Sequence, residues 1–289
     1  MKGIVLAGGS GTRLYPMTRV MTKQLQPIYD KPMIYYPLSF LMLAGMKEIM
    51  LITTNHDLPH FQTLLGDGSH LGIKIVYKVQ DNPNGLPEAF ILAEEFLNGD
   101  DACLILGDNL FYGDFKFFRE CIKNFKSKEA TVFAYSVADP KAYGVVEFDK
   151  NTKKVLSIEE KPAEPKSNFA IPGLYLFDSS VCTRSKNLNK SERGELEIVD
   201  LIKSYLPHSL QVEVVPRGIA WLDTGTPRSL LDASAFIGSI EERQGLKVAC
   251  LEEVAYRMGF INKEQFKDVL NKLPKSSYKQ YLERLLLEL

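Results

Sequence analysis

The feature that most constrains the fold lies at the start of the sequence, where a short apolar segment runs directly into a glycine-rich loop. Residues 2–7 have the composition of a buried strand, and Gly8-Gly9-Ser10-Gly11-Thr12-Arg13 follows at once. Glycines leave backbone N–H groups open to an anion, and Arg13 adds a planar, permanently charged group that suits phosphate oxygens. The pattern predicts phosphate binding after the first strand of an α/β protein; a glycine-rich turn without a ligand is the alternative.

Two familiar phosphate loops do not fit this segment. The dinucleotide fingerprint would need glycine where Leu14 stands, and a P-loop would need a Lys-Ser or Lys-Thr pair after its last glycine. The loop is therefore predicted to hold phosphate in another way.

The rest of the chain first alternates strands and helices and then becomes rich in strands. Such alternation is typical of a mostly parallel sheet flanked by helices, with a Rossmann-like arrangement. From residue 131 the strand candidates are separated only by turns, which predicts an antiparallel-rich part, and a helical tail in three or more pieces starts near residue 227. The predicted strands are 2–7, 48–53, 73–79, 102–106, 132–137, 144–149, 155–160, 170–177, 211–215 and 219–222; the predicted helices before the tail are 33–44, 58–65, 86–97 and 195–205.

Composition excludes several classes of function. The 35 basic and 36 acidic residues nearly cancel, so bulk charge gives no reason to expect nucleic acid or an anionic membrane as partner. The longest uncharged run, residues 32–46, is shorter than the roughly 20 apolar residues that a membrane-spanning helix needs. Cys103, Cys121, Cys182 and Cys250 form no CxxC pair, and this favours a reducing, cytoplasmic location.

Two aspartates follow predicted apolar strands. Asp108 comes after strand 102–106 and Asp223 after strand 219–222. Carboxylates at strand ends that open on one crevice are typical Mg²⁺ ligands, with water and substrate phosphates completing the shell. A helix cap for Asp223 and an Asx-turn for Asp108 are equally compatible with the sequence.

Other polar residues have ordinary explanations when taken alone. Lys23 and the cluster Glu159-Glu160-Lys161 are by default solvated charges, and Gln80 at a strand end could present its amide to a base edge or do nothing. His56 and His60 are four residues apart, but Pro59 lies between them and no glutamate follows His56. A zinc-protease helix is therefore not expected.

An ordered set of segments changes these assessments, because together it closely resembles the sugar-1-phosphate nucleotidyltransferases and, within them, the glucose-1-phosphate thymidylyltransferases. The departures are Ile171-Pro172, where the family usually has Val-Thr, and Pro87, where it has a smaller residue. The matching segments are 8–16, 23–24, 29–38, 107–109, 143–149, 159–162, 193–198 and 221–225.

The resemblance implies Mg²⁺-dependent transfer of a thymidylyl group from dTTP to α-D-glucose 1-phosphate, with release of pyrophosphate and dTDP-glucose, for deoxysugar biosynthesis of the dTDP-rhamnose type. It assigns catalysis to Arg13, Lys23 and Lys161 and the metal to Asp108 and Asp223. The implied nucleotide contacts are Gly8, Gly9, Ser10, Gly11, Thr12, Arg13, Gln24, Gln80 and Gly85; the implied sugar-phosphate contacts are Asn109, Tyr143, Gly144, Glu159, Lys161 and Ile171.

The resemblance also implies an organisation. Residues 1–226 would form the catalytic core, with a nucleotide-binding part to about 130 and a sugar-binding part over 131–226, and 227–289 would be a helical region that makes subunit contacts. A homotetramer and feedback inhibition by dTDP-L-rhamnose are further expectations. A nucleotide-sugar-dependent glycosyltransferase and a non-catalytic sensor on the same fold are the alternatives to be tested.

Overall fold

Fourteen strands and eleven α-helices are found in the computed structural model, within the residues it describes, 1–9, 11–125, 129–206 and 209–288. The strands are β1 Lys2–Leu6, β2 Pro27–Ile28, β3 Lys31–Pro32, β4 Glu48–Thr53, β5 Lys74–Val79, β6 Ala102–Leu106, β7 Asn109–Tyr112, β8 Ala130–Ser136, β9 Gly144–Phe148, β10 Val155–Glu160, β11 Phe169–Ala170, β12 Leu174–Phe177, β13 Leu210–Val214 and β14 Ala220–Asp223. The helices are α1 Tyr35–Leu43, α2 Leu58–Leu65, α3 Glu88–Leu92, α4 Glu94–Leu97, α5 Lys116–Lys123, α6 Val181–Lys186, α7 Ile198–Lys203, α8 Pro227–Gln244, α9 Leu251–Arg257, α10 Lys263–Lys272 and α11 Ser277–Glu288.

One mixed sheet runs through both predicted parts of the core. Its order is β10-β9-β11-β8-β12-β6-β1-β4-β5, and β13 pairs with β8. Strands β6, β1, β4 and β5 are parallel, whereas β12 is antiparallel to both of its neighbours. The predicted fold class is confirmed. The predicted division at about residue 130 stays a prediction.

The parallel strands are apolar along their whole length because both faces of the sheet are covered. In β1, Val5 packs into the core on one face and Ile4 into the core on the other, and Leu51 and Ile52 of β4 divide in the same way. This is why these strands read as continuous apolar runs rather than as alternating ones.

A separate two-stranded ribbon carries the second aspartate. Strand β7 follows β6 almost without a break and pairs antiparallel with β14, with Asp223 opposite Asn109. Only β14 was predicted as a strand. Because β7 starts one residue after Asp108, the ribbon brings the two predicted strand ends together.

Other differences from the predicted elements have local causes. Predicted strand 170–177 is split into β11 and β12 around Pro172 and Gly173, where Gly173 N–H donates to Asn109 Oδ1 (2.9 Å) instead of to a strand. Predicted helix 86–97 is divided into α3 and α4 at Ala93. Helices α5 and α6 were not predicted.

The tail consists of α8 to α11, in agreement with the prediction of at least three helical pieces. Leu282 and Leu285 of its last helix are buried in the core, Leu286 is partly buried, and Leu289 lies outside the described residues. In the part of the chain that is described, no helix combines the length and the apolar character that crossing a bilayer requires.

Candidate active site at the carboxyl edge of the sheet

The glycine-rich loop leaves β1 at the carboxyl edge of the parallel strands, which is where open α/β sheets bind ligands. Gly9 and Gly11 have φ values of +101° and +57°, a region that favours glycine. Gly11 also lies so close to Thr18 that an added Cβ would be 2.7 Å from its methyl carbon. Two of the predicted loop glycines are thus required by the backbone; Ser10 lies outside the described residues.

Two cations of the predicted site line one small cavity beside this loop. The cavity has a volume of about 160 Å³ and is lined by Gly11, Thr12, Arg13, Leu14, Lys23 and Gly225. A Cβ at Gly225 would lie 2.8 Å from the guanidinium of Arg13, so glycine at this position makes room for the arginine. The cavity is therefore a compact recess lined by two cationic side chains, which are groups that phosphate oxygens bind.

Lys23 forms an ion pair with Asp108, and both side chains are largely buried. Asp108 Oδ1 also accepts a hydrogen bond from Asn109 Nδ2 (3.0 Å). Burial acts to raise the pKa of the Asp108 carboxyl, but the Lys23 ammonium and the hydrogen bonds outweigh it, so that pKa lies below its ordinary value. Asp108 is therefore held as a carboxylate. The Lys23 side chain is not a solvated surface charge.

Asp223 lies near Asp108, and none of the cations in the described part of the chain forms a direct ion pair with it. Burial raises the pKa of Asp223, the Asp108 carboxylate raises it further, and Lys23 and Arg13 oppose both effects. Its Oδ1 accepts from the Gly225 N–H (3.1 Å), whereas the cap of helix α8 is Thr226, which accepts from the Ser229 N–H. The helix-cap alternative for Asp223 is therefore wrong.

The remaining predicted nucleotide residues lie along the same edge. Gln24 is buried, and its Nε2 donates to the Gly8 carbonyl (3.5 Å). Gln80 follows β5, and its Oε1 would be 3.2 Å from a Cβ added to Gly8. Gly85 has φ +101° and pairs with Leu196, whose carbonyl oxygen would be 2.0 Å from an added Cβ. Only glycine fits there.

Backbone hydrogen bonds join the predicted sugar residues at the ends of β9 and β10. Ile171 N–H donates to Gly144 O (2.8 Å), and Lys161 N–H donates to Tyr143 O (3.0 Å). Lys161 has φ +45°, a conformation that is strained for a residue with a Cβ. Its Nζ lies 3.2 Å from Glu160, and Glu159 pairs with Lys166 (2.8 Å).

An aromatic contact links the residues predicted to bind the sugar phosphate to the aspartates. The Tyr143 ring packs against Trp221 of β14 with centroids 5.1 Å apart, and burial followed by the Asp223 charge raises the pKa of Tyr143. Trp221 Nε1 donates to Asn109 Oδ1 (2.6 Å). Asn109 thus has both its side-chain oxygen and its amide nitrogen hydrogen-bonded within the protein, and it links Trp221 to Asp108.

Sequence reasoning missed several residues around the site. Thr224 donates through its backbone N–H (3.3 Å) and its hydroxyl (2.9 Å) to the Asp108 carbonyl, and its neighbour Gly225 makes room for Arg13. Both lie within the segment 221–225 that the resemblance includes, but a motif match does not reveal which contact each residue makes. Glu88, which accepts a hydrogen bond from Gln80 Nε2 (2.6 Å), was also missed, and no signal in the sequence marks it.

A second cluster of metal-binding residue types lies behind the loop. Helix α2 begins at Leu58 with Pro59 in its first turn, where proline is tolerated, so His56 precedes the helix and His60 lies in its first turn. Ligand atoms of His56, Asp57 and His60 lie within 4.8 Å of one another. Asp57 already accepts from the Thr22 N–H (3.0 Å), and both histidines are exposed.

Comparison with known proteins identifies the family. The nucleotidyl transferase family model matches residues 2–240. This chain belongs to that family. Curated relatives include the glucose-1-phosphate thymidylyltransferases of Neisseria meningitidis, 53% identical over 289 residues, and Mycobacterium tuberculosis, 54% identical over 288 residues, each covering 99% of both chains.

Solved structures agree with this assignment. A Bacillus anthracis structure described as a putative glucose-1-phosphate thymidylyltransferase in complex with sucrose has a TM-score of 0.76 at 41% identity and covers 82% of this chain and 94% of its own. A UDP-glucose pyrophosphorylase with UDP-glucose has a TM-score of 0.73 at 20% identity, covers 83% and 98%, and so supports the fold alone. The chain is a nucleotidyltransferase by family, as the sequence predicted.

Proposed function

We propose that this chain transfers a thymidylyl group from dTTP to α-D-glucose 1-phosphate and releases pyrophosphate. The observation that carries the proposal is the convergence of Asp108 and Asp223 beside the recess that Arg13 and Lys23 line. The full-length curated relatives named above for that reaction support the choice of substrates.

The reaction joins two polyanions. A phosphate oxygen of the sugar phosphate forms a bond to the α-phosphorus of dTTP, the bond from that phosphorus to the bridging oxygen breaks, and pyrophosphate leaves with the electron pair. The attacking phosphate has a second pKa of ~6 and is ionised at neutral pH, so no general base is needed. Catalysis therefore consists mainly of positioning and of screening the repulsion between the reactants.

The residues of the loop have separate roles in this scheme. Backbone N–H groups of residues 8–12 bind the nucleotide phosphates, and the guanidinium of Arg13 stabilises charge that develops on the departing pyrophosphate. Lys23 is held beside Asp108 in the free protein, and its ammonium lies at the cavity where the phosphates would arrive. Gln24 supports the loop through the Gly8 carbonyl.

The donor set suits Mg²⁺. Two carboxylates lie close enough for the Asp108 charge to raise the pKa of Asp223, and the described part of the chain supplies a single direct ion pair to them, from Lys23. Asp108 and Asp223 would hold the ion, with water and phosphate oxygens as further ligands. Bound there, Mg²⁺ would neutralise phosphate charge and orient the triphosphate.

The sugar phosphate is assigned to the residues at the ends of β9 and β10. Lys161 is exposed and carries the charge for the sugar phosphate, and Tyr143, Gly144 and Ile171 form the backbone-linked wall for the glucose ring. Glu159 lies on the same strand end. Asn109 orients Asp108 through one hydrogen bond. Through a second hydrogen bond, to Trp221, it orients the wall formed for the glucose ring.

Three finer expectations remain part of the proposal: a homotetramer, feedback inhibition by dTDP-L-rhamnose and a cytoplasmic location that serves deoxysugar synthesis. Exposed Leu231, Leu246 and Leu287 on the tail support subunit contacts there, and four free thiols suit a reducing compartment. Size-exclusion chromatography with light scattering tests the tetramer, and titration with dTDP-L-rhamnose tests inhibition.

One substrate panel tests the activity. Purified protein is assayed for pyrophosphate release with dTTP, UTP, dCTP and dATP, each crossed with several sugar 1-phosphates, with and without Mg²⁺. We expect Mg²⁺-dependent release with dTTP and glucose 1-phosphate. Turnover of a nucleotide sugar onto an acceptor would favour the glycosyltransferase, and nucleotide binding without any turnover would favour the sensor.

A further inference from the structure

A chain of hydrogen bonds of fixed polarity ends on Gln80. Lys190 Nζ donates to Asn84 Oδ1 (3.0 Å), and Asn84 Nδ2 donates to Glu88 Oε1 (2.7 Å). The second carboxylate oxygen, Glu88 Oε2, accepts from Gln80 Nε2 (2.6 Å). An ammonium group only donates and a carboxylate only accepts, so each amide in the chain has one permitted orientation.

The consequence for Gln80 is that its nitrogen is turned away from the glycine-rich loop. Gln80 Nε2 is directed at Glu88 and at the Gly85 carbonyl (3.5 Å), and Oε1 faces Gly8. None of the described residues donates to Gln80 Oε1. Since Gln80 is only 9% exposed, this acceptor is fixed in a nearly buried position at the carboxyl edge.

We propose that Glu88 is a specificity-determining positioning residue: it holds the Gln80 amide with its acceptor oxygen toward the nucleobase, and thereby selects pyrimidines that carry a ring N–H. The inference rests on the proposed function and on the nucleotide contact at Gln80 that the resemblance implies, which we assign to the base. The selected class is the pyrimidine-2,4-diones, thymine and uracil.

The chemistry of the bases explains the selection. Thymine and uracil present an N3–H donor, which satisfies the oxygen, whereas neutral cytosine presents a bare N3 acceptor. Two acceptors face to face leave a buried oxygen without a donor, and such a mismatch is more costly than the absence of one hydrogen bond. Cytosine is therefore rejected because Glu88 fixes the orientation of the Gln80 amide that contacts the base.

The Glu88→Gln variant tests this orientation. Asn84 still donates to the oxygen of residue 88, so the new amide nitrogen must point at Gln80, and Gln80 must turn its own oxygen toward it. We expect kcat/KM for dTTP to fall about 10-fold, mainly through KM because base contacts do not change during the reaction, and the ratio of dTTP to dCTP affinity to fall at least as much.

A second substitution should restore the original polarity. In the Asn84→Asp/Glu88→Gln double variant, the carboxylate introduced at position 84 accepts from the new amide nitrogen at position 88, so the amide oxygen there again accepts from Gln80 Nε2. This variant has the wild-type net charge, and we expect the dTTP to dCTP ratio to return to within about twofold of wild type. Glu95→Gln, an exposed glutamate on the neighbouring helix, is the charge-matched control for the single variant and should leave the ratio unchanged.

Calorimetric binding of dTTP and dCTP in the absence of sugar phosphate separates this inference from the proposed function. If the wild type binds dTTP selectively but releases no pyrophosphate, the proposed activity fails and the Glu88 test still stands. An unchanged affinity ratio in Glu88→Gln, or a double variant no better than the single one, overturns the role of Glu88. Thermal unfolding of each variant confirms that it is folded.

Discussion

The proposed function divides the candidate site into a nucleotide side, with Asp108 and Lys23, and a sugar side, with Lys161. The two sides hold their charges in different surroundings. On the nucleotide side, Asp108 and Lys23 pair with side chains only 10% and 16% exposed. On the sugar side, Lys161 is 54% exposed and lies against Glu160, which is 30% exposed. Charges interact more strongly where water is excluded, so the Lys23–Asp108 pair should be held more firmly than the Lys161–Glu160 pair before any ligand binds.

This contrast predicts the largest effect at the buried carboxylates. Asp108→Asn and Asp223→Asn each remove a carboxylate charge that the proposed Mg²⁺ site would use, and pyrophosphate release should fall about 10³-fold. Asp223→Asn should unfold thermally near the wild-type midpoint, whereas Asp108→Asn leaves the Lys23 ammonium without its buried partner and should unfold at a lower temperature. Full turnover in either variant would contradict the metal assignment and the importance given to the nucleotide side.

The next largest effect is expected at the recess. Arg13→Gln removes a guanidinium that is exposed but lines the recess beside Lys23, and under the proposed function kcat should fall about 10²-fold, the scale seen when one preorganised donor is lost. Arg228→Gln, which removes a guanidinium that is 81% exposed and pairs with Asp232, should leave kcat unchanged. Equal losses in both variants would mean that the effect is not local.

Gly225→Ala sharpens the comparison without changing any charge. The added methyl group would lie 2.8 Å from the Arg13 guanidinium, so that flexible group must shift. We expect kcat to fall about 10-fold, because an error of about 1 Å in the placement of a catalytic group can cost up to 10²-fold. Unchanged kinetics would indicate that the position of Arg13 in the free protein is not the one it uses.

The smallest effect is predicted at Lys161. Because its charge is exposed and screened, Lys161→Gln should raise KM for glucose 1-phosphate by about threefold to fivefold and leave KM for dTTP unchanged. Lys166→Gln, which removes the exposed partner of Glu159, is the matched control and should change neither value. A loss as large as that of Asp108→Asn would abolish the distinction between the two sides.

The sequence could predict residues at the ends of apolar strands, but not charged residues outside them. Short apolar runs located β1, β4, β5 and β6, and their carboxyl ends located the glycine-rich loop, Gln80 and Asp108, because parallel strands share one ligand edge. The resemblance supplied Lys23 and Lys161, whose local sequence indicates only surface charge. Their site roles stay predictions.

What the sequence could not predict depends on contacts between distant segments. Strand β7 is four residues long and follows β6 directly, so only its partner β14 defines it, and the approach of Asp223 to Asp108 depends on that pairing. The hydrogen bond from Lys190 to Asn84 joins residues that are 106 positions apart in the sequence. No periodicity reports a contact of that kind.

Mn²⁺ binding measured by electron paramagnetic resonance tests the central claim most directly, because Mn²⁺ replaces Mg²⁺ at oxygen ligands and needs no turnover to be detected. With dTTP present, we predict that wild-type protein binds Mn²⁺ more tightly than free dTTP does, and that Asp108→Asn and Asp223→Asn each lose this gain. Equal Mn²⁺ affinity in the wild type and both variants would contradict a shared metal site.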